Sequence, residues 1–93
     1  MLRLMEYEWG EEKYARNVAK HGLEFDVLED FKWGDAVTID RSRHADGEKR
    51  FAAIGLLYGK IHTVIFTWRG VRMRIISLRR ANKGEEKIYE KST

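Results

Sequence analysis

Polar and apolar positions along the chain change period several times, and each change marks an element. Tyr7-Glu8-Trp9 is aromatic on alternate positions and predicts a short extended piece. From Glu11 the pattern becomes helical: Tyr14, Ala15, Val18 and Ala19 form an apolar stripe, with Glu11 and Glu12 in the first turn. Lys20-His21-Gly22 reads as the helix end, with cations in the last turn and glycine at the left-handed cap position. Phe25, Leu28 and Phe31 stand three apart and predict a second, shorter helix, which Trp33-Gly34-Asp35 breaks. Ala36 to Ile39 predicts a strand, and the polar segment Asp40 to Gly47 a loop.

Three strong strands follow. Arg50 to Leu57 ends in the Tyr58-Gly59-Lys60 turn, Ile61 to Trp68 leads into an Arg69-Gly70 hairpin, and Val71 to Arg79 completes the set. Short connections make these three antiparallel neighbours. Asn82 can cap a last helix whose first turn holds Glu85 and Glu86. The expected order is β-α-α-β-β-β-β-α: one compact α+β domain over residues 1–93, an antiparallel sheet with helices packed on one face.

Composition narrows the class. With 43% apolar and 35% charged residues, the chain is neither disordered nor a membrane protein, and no apolar run nears the ~20 residues that span a bilayer. Met1 to Glu6 lacks the apolar core and cleavage site of a signal peptide. The absence of cysteine removes disulfides and thiolate ligands and fits a cytoplasmic protein.

The net charge of +3 conceals a split. Residues 1–48 hold seven Lys/Arg against twelve Asp/Glu, a balance of −5, while residues 49–93 hold eleven against three, a balance of +8. Thr67 to Arg80 alone carries five arginines and no acid. Arginine is a rigid, always-charged fork that fits phosphate oxygens. Cations held on a strand point to a polyanionic partner, RNA or DNA first.

A set of short pieces runs in order along the chain, from Glu8-Trp9 through Lys13 with Asn17, Lys20-His21-Gly22, Phe25, Phe31, Gly47-Glu48 with Arg50 and Ile54-Gly55. It continues with Thr67 and Arg69, Arg74-Ile75-Ile76-Ser77, Arg79, Ala81, Glu85 or Glu86, and Tyr89-Glu90. This ordered set resembles the BrnT-type toxins, ribonucleases of type II toxin–antitoxin systems with a RelE-like fold. Members usually carry aspartate where this chain has Gly10, so a helix cap is weakened. The resemblance implies a metal-independent endoribonuclease without cofactor that cleaves RNA to inhibit translation and growth. It also implies neutralisation by a BrnA-like ribbon-helix-helix antitoxin, a hetero-oligomer that binds operon DNA through the antitoxin. A non-catalytic nucleic-acid-binding or protein-interaction module with a basic face is the alternative.

Metal-free RNA cleavage needs a base near the 2′-oxygen, an acid near the leaving 5′-oxygen and cations around the phosphorane. The candidate catalytic residues are Lys20, His21, Arg79 and Arg80, and the candidate RNA-binding residues Arg50, Arg69, Arg74 and Tyr89. Position 79 matches the family's basic residue, so Arg79 is expected on phosphate. Strand alternation sends Arg79 and Arg80 to opposite faces, so that one faces the RNA site and the other bonds the helix or a carboxylate such as Glu85. His21, with Lys20 lowering its pKa, serves either as acid–base group or as a helix C-cap. Arg50 contacts phosphate or pairs with Glu48 or Asp46; Arg69 is a ligand or a solvated turn charge; Tyr89 stacks on a base or packs. His44 lies in the polar loop, His62 is a cross-strand neighbour, and Arg72 and Arg74 are expected on the face of Ile76 and Leu78. The histidines show no i, i+4 pairing, which disfavours a metal site.

Overall fold

A computed structural model describes residues 6–42 and 48–93. His44 and the rest of 43–47 lie outside the described residues. Strand β1 (Tyr7–Glu8) leads to helix α1 (Glu11–His21), then to 3₁₀ segments at Phe25–Asp30 and Trp33–Asp35. Strands β2 (Val37–Asp40), β3 (Phe51–Leu57), β4 (Lys60–Arg69) and β5 (Arg72–Arg80) follow, and helix α2 (Lys83–Lys91) closes the chain.

The strands form a five-stranded sheet in the order β1-β5-β4-β3-β2. Strands β2 to β5 pair antiparallel as expected, but β1 runs parallel to β5, with Tyr7 opposite Met73 and Glu8 opposite Arg74. The sheet is therefore mixed. The β3–β4 turn has Tyr58 at φ 52° and Gly59 at φ 78°, the left-handed pair that a two-residue turn matching strand twist requires. In the next hairpin Arg69 pairs with Arg72, so the turn residues are Gly70 and Val71, one place later than expected.

The core lies on one face of the sheet, where Phe25, Leu28 and Phe31 pack on Ala53, Leu57, Val64, Phe66, Met73, Ile75 and Leu78. The three-residue spacing of Phe25, Leu28 and Phe31 suits the three-residue turn of a 3₁₀ helix, which is what forms instead of an α-helix. Gly55 is needed here: a Cβ would sit 2.9 Å from the Phe31 ring and 3.0 Å from Ala36 Cβ.

Two placements differ from the sequence expectation. Helix α2 covers the other face, because Glu85 bonds Thr63 while the next residue, Val64, belongs to the core on the opposite side. In α1 the inward stripe is rotated: Ala15 and Ala19 are exposed and the buried residue is Asn17. Its carboxamide receives the Leu78 N–H at 3.0 Å and donates to the Leu78 carbonyl at 2.9 Å. Beyond the short β1, the open edge of β5 is thus paired by a side chain.

Candidate active site

Strand β5 carries a register shift against β4 between Ile65 and Phe66: Ile65 lies opposite Ser77 and Phe66 opposite Ile75, leaving Ile76 as the extra residue. The bulge reverses alternation along the strand. Arg72 and Arg74 consequently share the face of Ser77 and Arg79, not that of Leu78, which corrects the parity read from the sequence.

On that face α1 and β5 frame a cleft of about 170 Å³ lined by Lys13, Arg16, Asn17, Lys20, His21, Ile76 and Ser77. Helix periodicity puts Lys13, Arg16 and Lys20 on one side of α1, and the Asn17 bonds to Leu78 seat that side against the strand. Ser77 donates its hydroxyl to Asn17 Oδ1 at 3.3 Å. Burial lowers the His21 pKa below its ordinary value, and the charges of Lys20 and Arg79 lower it further. Lys20 and His21 thus line the cleft together, and the charge of Arg79 bears on His21 from the strand.

Arg79 is not a free fork. Its Nη1 and Nη2 donate to Glu85 Oε1 and Oε2 at 2.7 and 2.9 Å, and its side chain is 25% exposed. Glu85, 1% exposed, also accepts from Thr63 Oγ1 at 2.9 Å, the Asn82 N–H at 3.0 Å and Arg41 Nη2 at 3.3 Å. Burial pushes the Glu85 carboxyl up, and hydrogen bonds from Arg79, the Asn82 backbone and Thr63, with the Arg79 charge, more than reverse this and hold it at about 2. The Asn82 side-chain oxygen accepts in return from the Glu85 N–H, completing a capping box. Arg79 is the arginine that takes the carboxylate, and it remains a fixed cation whose charge lowers the His21 pKa.

The other candidates do not gather here. Arg80 lies opposite His62, whose pKa is lowered first by burial and then, against the Lys60 carbonyl, by the Arg80 charge; alternation removes Arg80 from the cleft. His62 accepts its own packing role, its Nδ1 meeting the Lys60 carbonyl at 2.8 Å. Arg50 and Arg69 both face Glu48, at 3.8 and 3.4 Å. Arg69 pairs with Arg72, seven residues before Arg79, or roughly 23 Å at the usual strand rise. These arginines cannot frame one phosphate with Arg79. Arg74 donates to Glu8 at 2.8 Å and is partly buried. Tyr89 is 8% exposed, so its ring packs under α2 and is not offered to a base.

Sequence reading missed Arg41, Asn17 and Ser77 as parts of the site and did not join Lys13 and Arg16 to it. The spacing of Lys13, Arg16 and Lys20 was a usable signal. Nothing local indicates that Arg41 reaches Glu85. Among the described residues no group of three or more His, Asp or Glu side chains gathers in a metal-holding arrangement.

A small α+β protein with a cationic cleft at a bulged sheet edge is the class that fold and site define. A family model described as "Ribonuclease toxin, BrnT, of type II toxin-antitoxin system" matches residues 9–85. The crystal structure of the Brucella abortus ribonuclease toxin, BrnT, is similar at 35% identity with a TM-score of 0.66, covering 85% of this chain and 99% of that one. No curated protein matches. The chain belongs to the BrnT family of ribonuclease toxins of type II toxin–antitoxin systems.

Proposed function

We propose that this chain is a metal-independent endoribonuclease whose scissile phosphate lies in the cleft between α1 and β5. The observation that carries the reading is the cleft that Lys20 and His21 line with Lys13 and Arg16, with His21 held toward its neutral form by burial and by the charges of Lys20 and Arg79. A neutral imidazole takes the proton of the 2′-hydroxyl as that oxygen attacks phosphorus. Lys20 supplies a proton to the leaving 5′-oxygen, and Arg79, immobilised by Glu85, stabilises the charge that grows on the phosphorane. The P–O5′ bond breaks, leaving a 2′,3′-cyclic phosphate and a 5′-hydroxyl. Arg80, Arg50, Arg69 and Tyr89 have no part in this step.

Membership of a type II family supports an antitoxin partner. In this reading it is a BrnA-like ribbon-helix-helix protein that covers the cleft in a hetero-oligomer and binds operon DNA for the pair. The toxin then acts in the cytoplasm, on cellular RNA. No helix among the described residues is long and apolar enough to cross a membrane.

The test combines purified protein and cells. Expected are cleavage that persists in EDTA, cyclic-phosphate ends, loss of at least ~10²-fold on His21→Ala, and growth arrest relieved by the neighbouring antitoxin gene. RNA that is bound but left uncut identifies a binding module instead, and activity lost in EDTA and restored by Mg²⁺ overturns the metal-free mechanism.

A further inference from the structure

The cleft does not end at the catalytic cluster. Lys13 and Arg16 line it and also line a second depression beside it, which continues past Gly10 to Arg74. The bulge at Ile76 is what turns Arg74 toward this side. Along α1, Lys13 to Lys20 covers roughly 10.5 Å at the helical rise, room for two neighbouring phosphates of an extended strand.

Both cations are available. Lys13 and Arg16 are exposed. The partner of Arg16 is Glu12, an i, i+4 pair in which the side chains are 71% and 81% exposed. Such a pair is worth little and yields readily to a phosphate that accepts two bonds from the same fork. Arg74, partly buried and paired with Glu8, is committed to the fold. Beyond Lys13 the carboxylates of Glu11 and Glu12 reach the second depression, and they repel a strand that runs further. The track is therefore short and has a defined end.

We infer that Lys13 and Arg16 form a second phosphate subsite, which holds single-stranded RNA by the phosphate next to the scissile one, on one side of the cut. This rests on the ribonuclease reading for its direction, but binding alone can judge it. A 2′-O-methyl oligonucleotide, which lacks the attacking hydroxyl, is titrated by fluorescence anisotropy at several salt concentrations. Lys13→Ala and Arg16→Ala are each expected to lower the slope of log affinity against log salt by about 1. Lys87→Ala, an equal charge loss on the exposed face of α2, is the control. On cleavable RNA the two variants raise KM more than they lower kcat. The loss is greater on an oligonucleotide than on a dinucleotide, and it appears for extension on one side only. Salt slopes equal to that of Lys87→Ala, or an equal loss on dinucleotide and oligonucleotide, overturn the subsite. Wild-type protein that binds the methylated strand but cuts no RNA removes the nuclease reading, and the salt slopes still decide the subsite.

Discussion

Replacing Glu85 by glutamine removes one charge from the most connected polar group among the described residues and keeps its shape. The carboxyl lies 1% exposed under bonds from Arg79, Thr63, Asn82 and Arg41. Burial opposes ionisation, and those donors pull the group from an ordinary 4.5 down to about 2. At ~1.36 kcal/mol per pH unit this amounts to ~3 kcal/mol of folding free energy at neutral pH. Arg79 and Arg41 are 25% and 44% exposed, so both regain water when the carboxylate is lost. The cost then falls at the low end of the 3–5 kcal/mol typical of a broken buried pair. In a domain of this size ~3 kcal/mol lowers Tm by about 12 °C or more.

The sign follows from the depressed pKa. Glu85 stabilises the fold above pH 4.5 and loses that contribution as the pH falls toward about 2. Urea denaturation of wild type and Glu85→Gln at neutral pH, and again on acidification, measures both quantities. The two proteins are expected to differ by ~3 kcal/mol at neutral pH and to converge in acid. A variant within ~1 kcal/mol of wild type at neutral pH, or one with the same acid dependence, refutes the account of Glu85 as a buried, fully bonded carboxylate.

Other expectations can be checked alongside. The acid limb of kcat/KM is expected below the ordinary histidine value, since burial, Lys20 and Arg79 all disfavour imidazolium at His21; Lys20→Met moves that limb upward, and a limb that stays put excludes His21 as the base. Asn17→Ala leaves the buried backbone of Leu78 without its partner, a loss of about 1–3 kcal/mol by denaturation, with the α1 cations displaced from β5 and cleavage reduced beyond the stability effect. Gly55→Ala drives a methyl to 2.9 Å from Phe31 and should cost about 1–3 kcal/mol; unchanged stability would show that the ring gives way. Gly10→Asp supplies the cap that α1 lacks and is expected to gain only a few tenths of a kcal/mol, read as a small rise in Tm.

Local pattern and sheet chemistry were legible in different degrees. The order of elements, the β3–β4 turn, the Asn82 cap and the left-handed Gly22 at the end of α1 follow from residues within a few positions of each other. Neighbouring side chains and backbone preferences decide such features, so the chain states them outright. The clustering of Lys20 with His21 is local in the same sense. The charge of Arg79, which helps lower the His21 pKa, comes from a segment far along the chain and was not legible locally.

What the chain by itself determined is a β-α-α-β-β-β-β-α frame, whose second helix is a 3₁₀ segment in the structure, together with a basic second half and the residue types for phosphate chemistry. Only the tertiary structure decided which of those residues meet. A single extra residue at Ile76 reverses the parity of β5 and brings Arg72 and Arg74 to the face of Arg79. Period-2 reasoning cannot detect that shift, because the bulge exists only relative to β4. The choice of α2 for the far face turns on Glu85 finding Thr63 and Arg79 across the sheet, and the burial of Asn17 turns on an open strand edge 61 residues away. Both are long-range hydrogen-bonding demands of buried polar groups, and such demands take effect only once the sheet has closed.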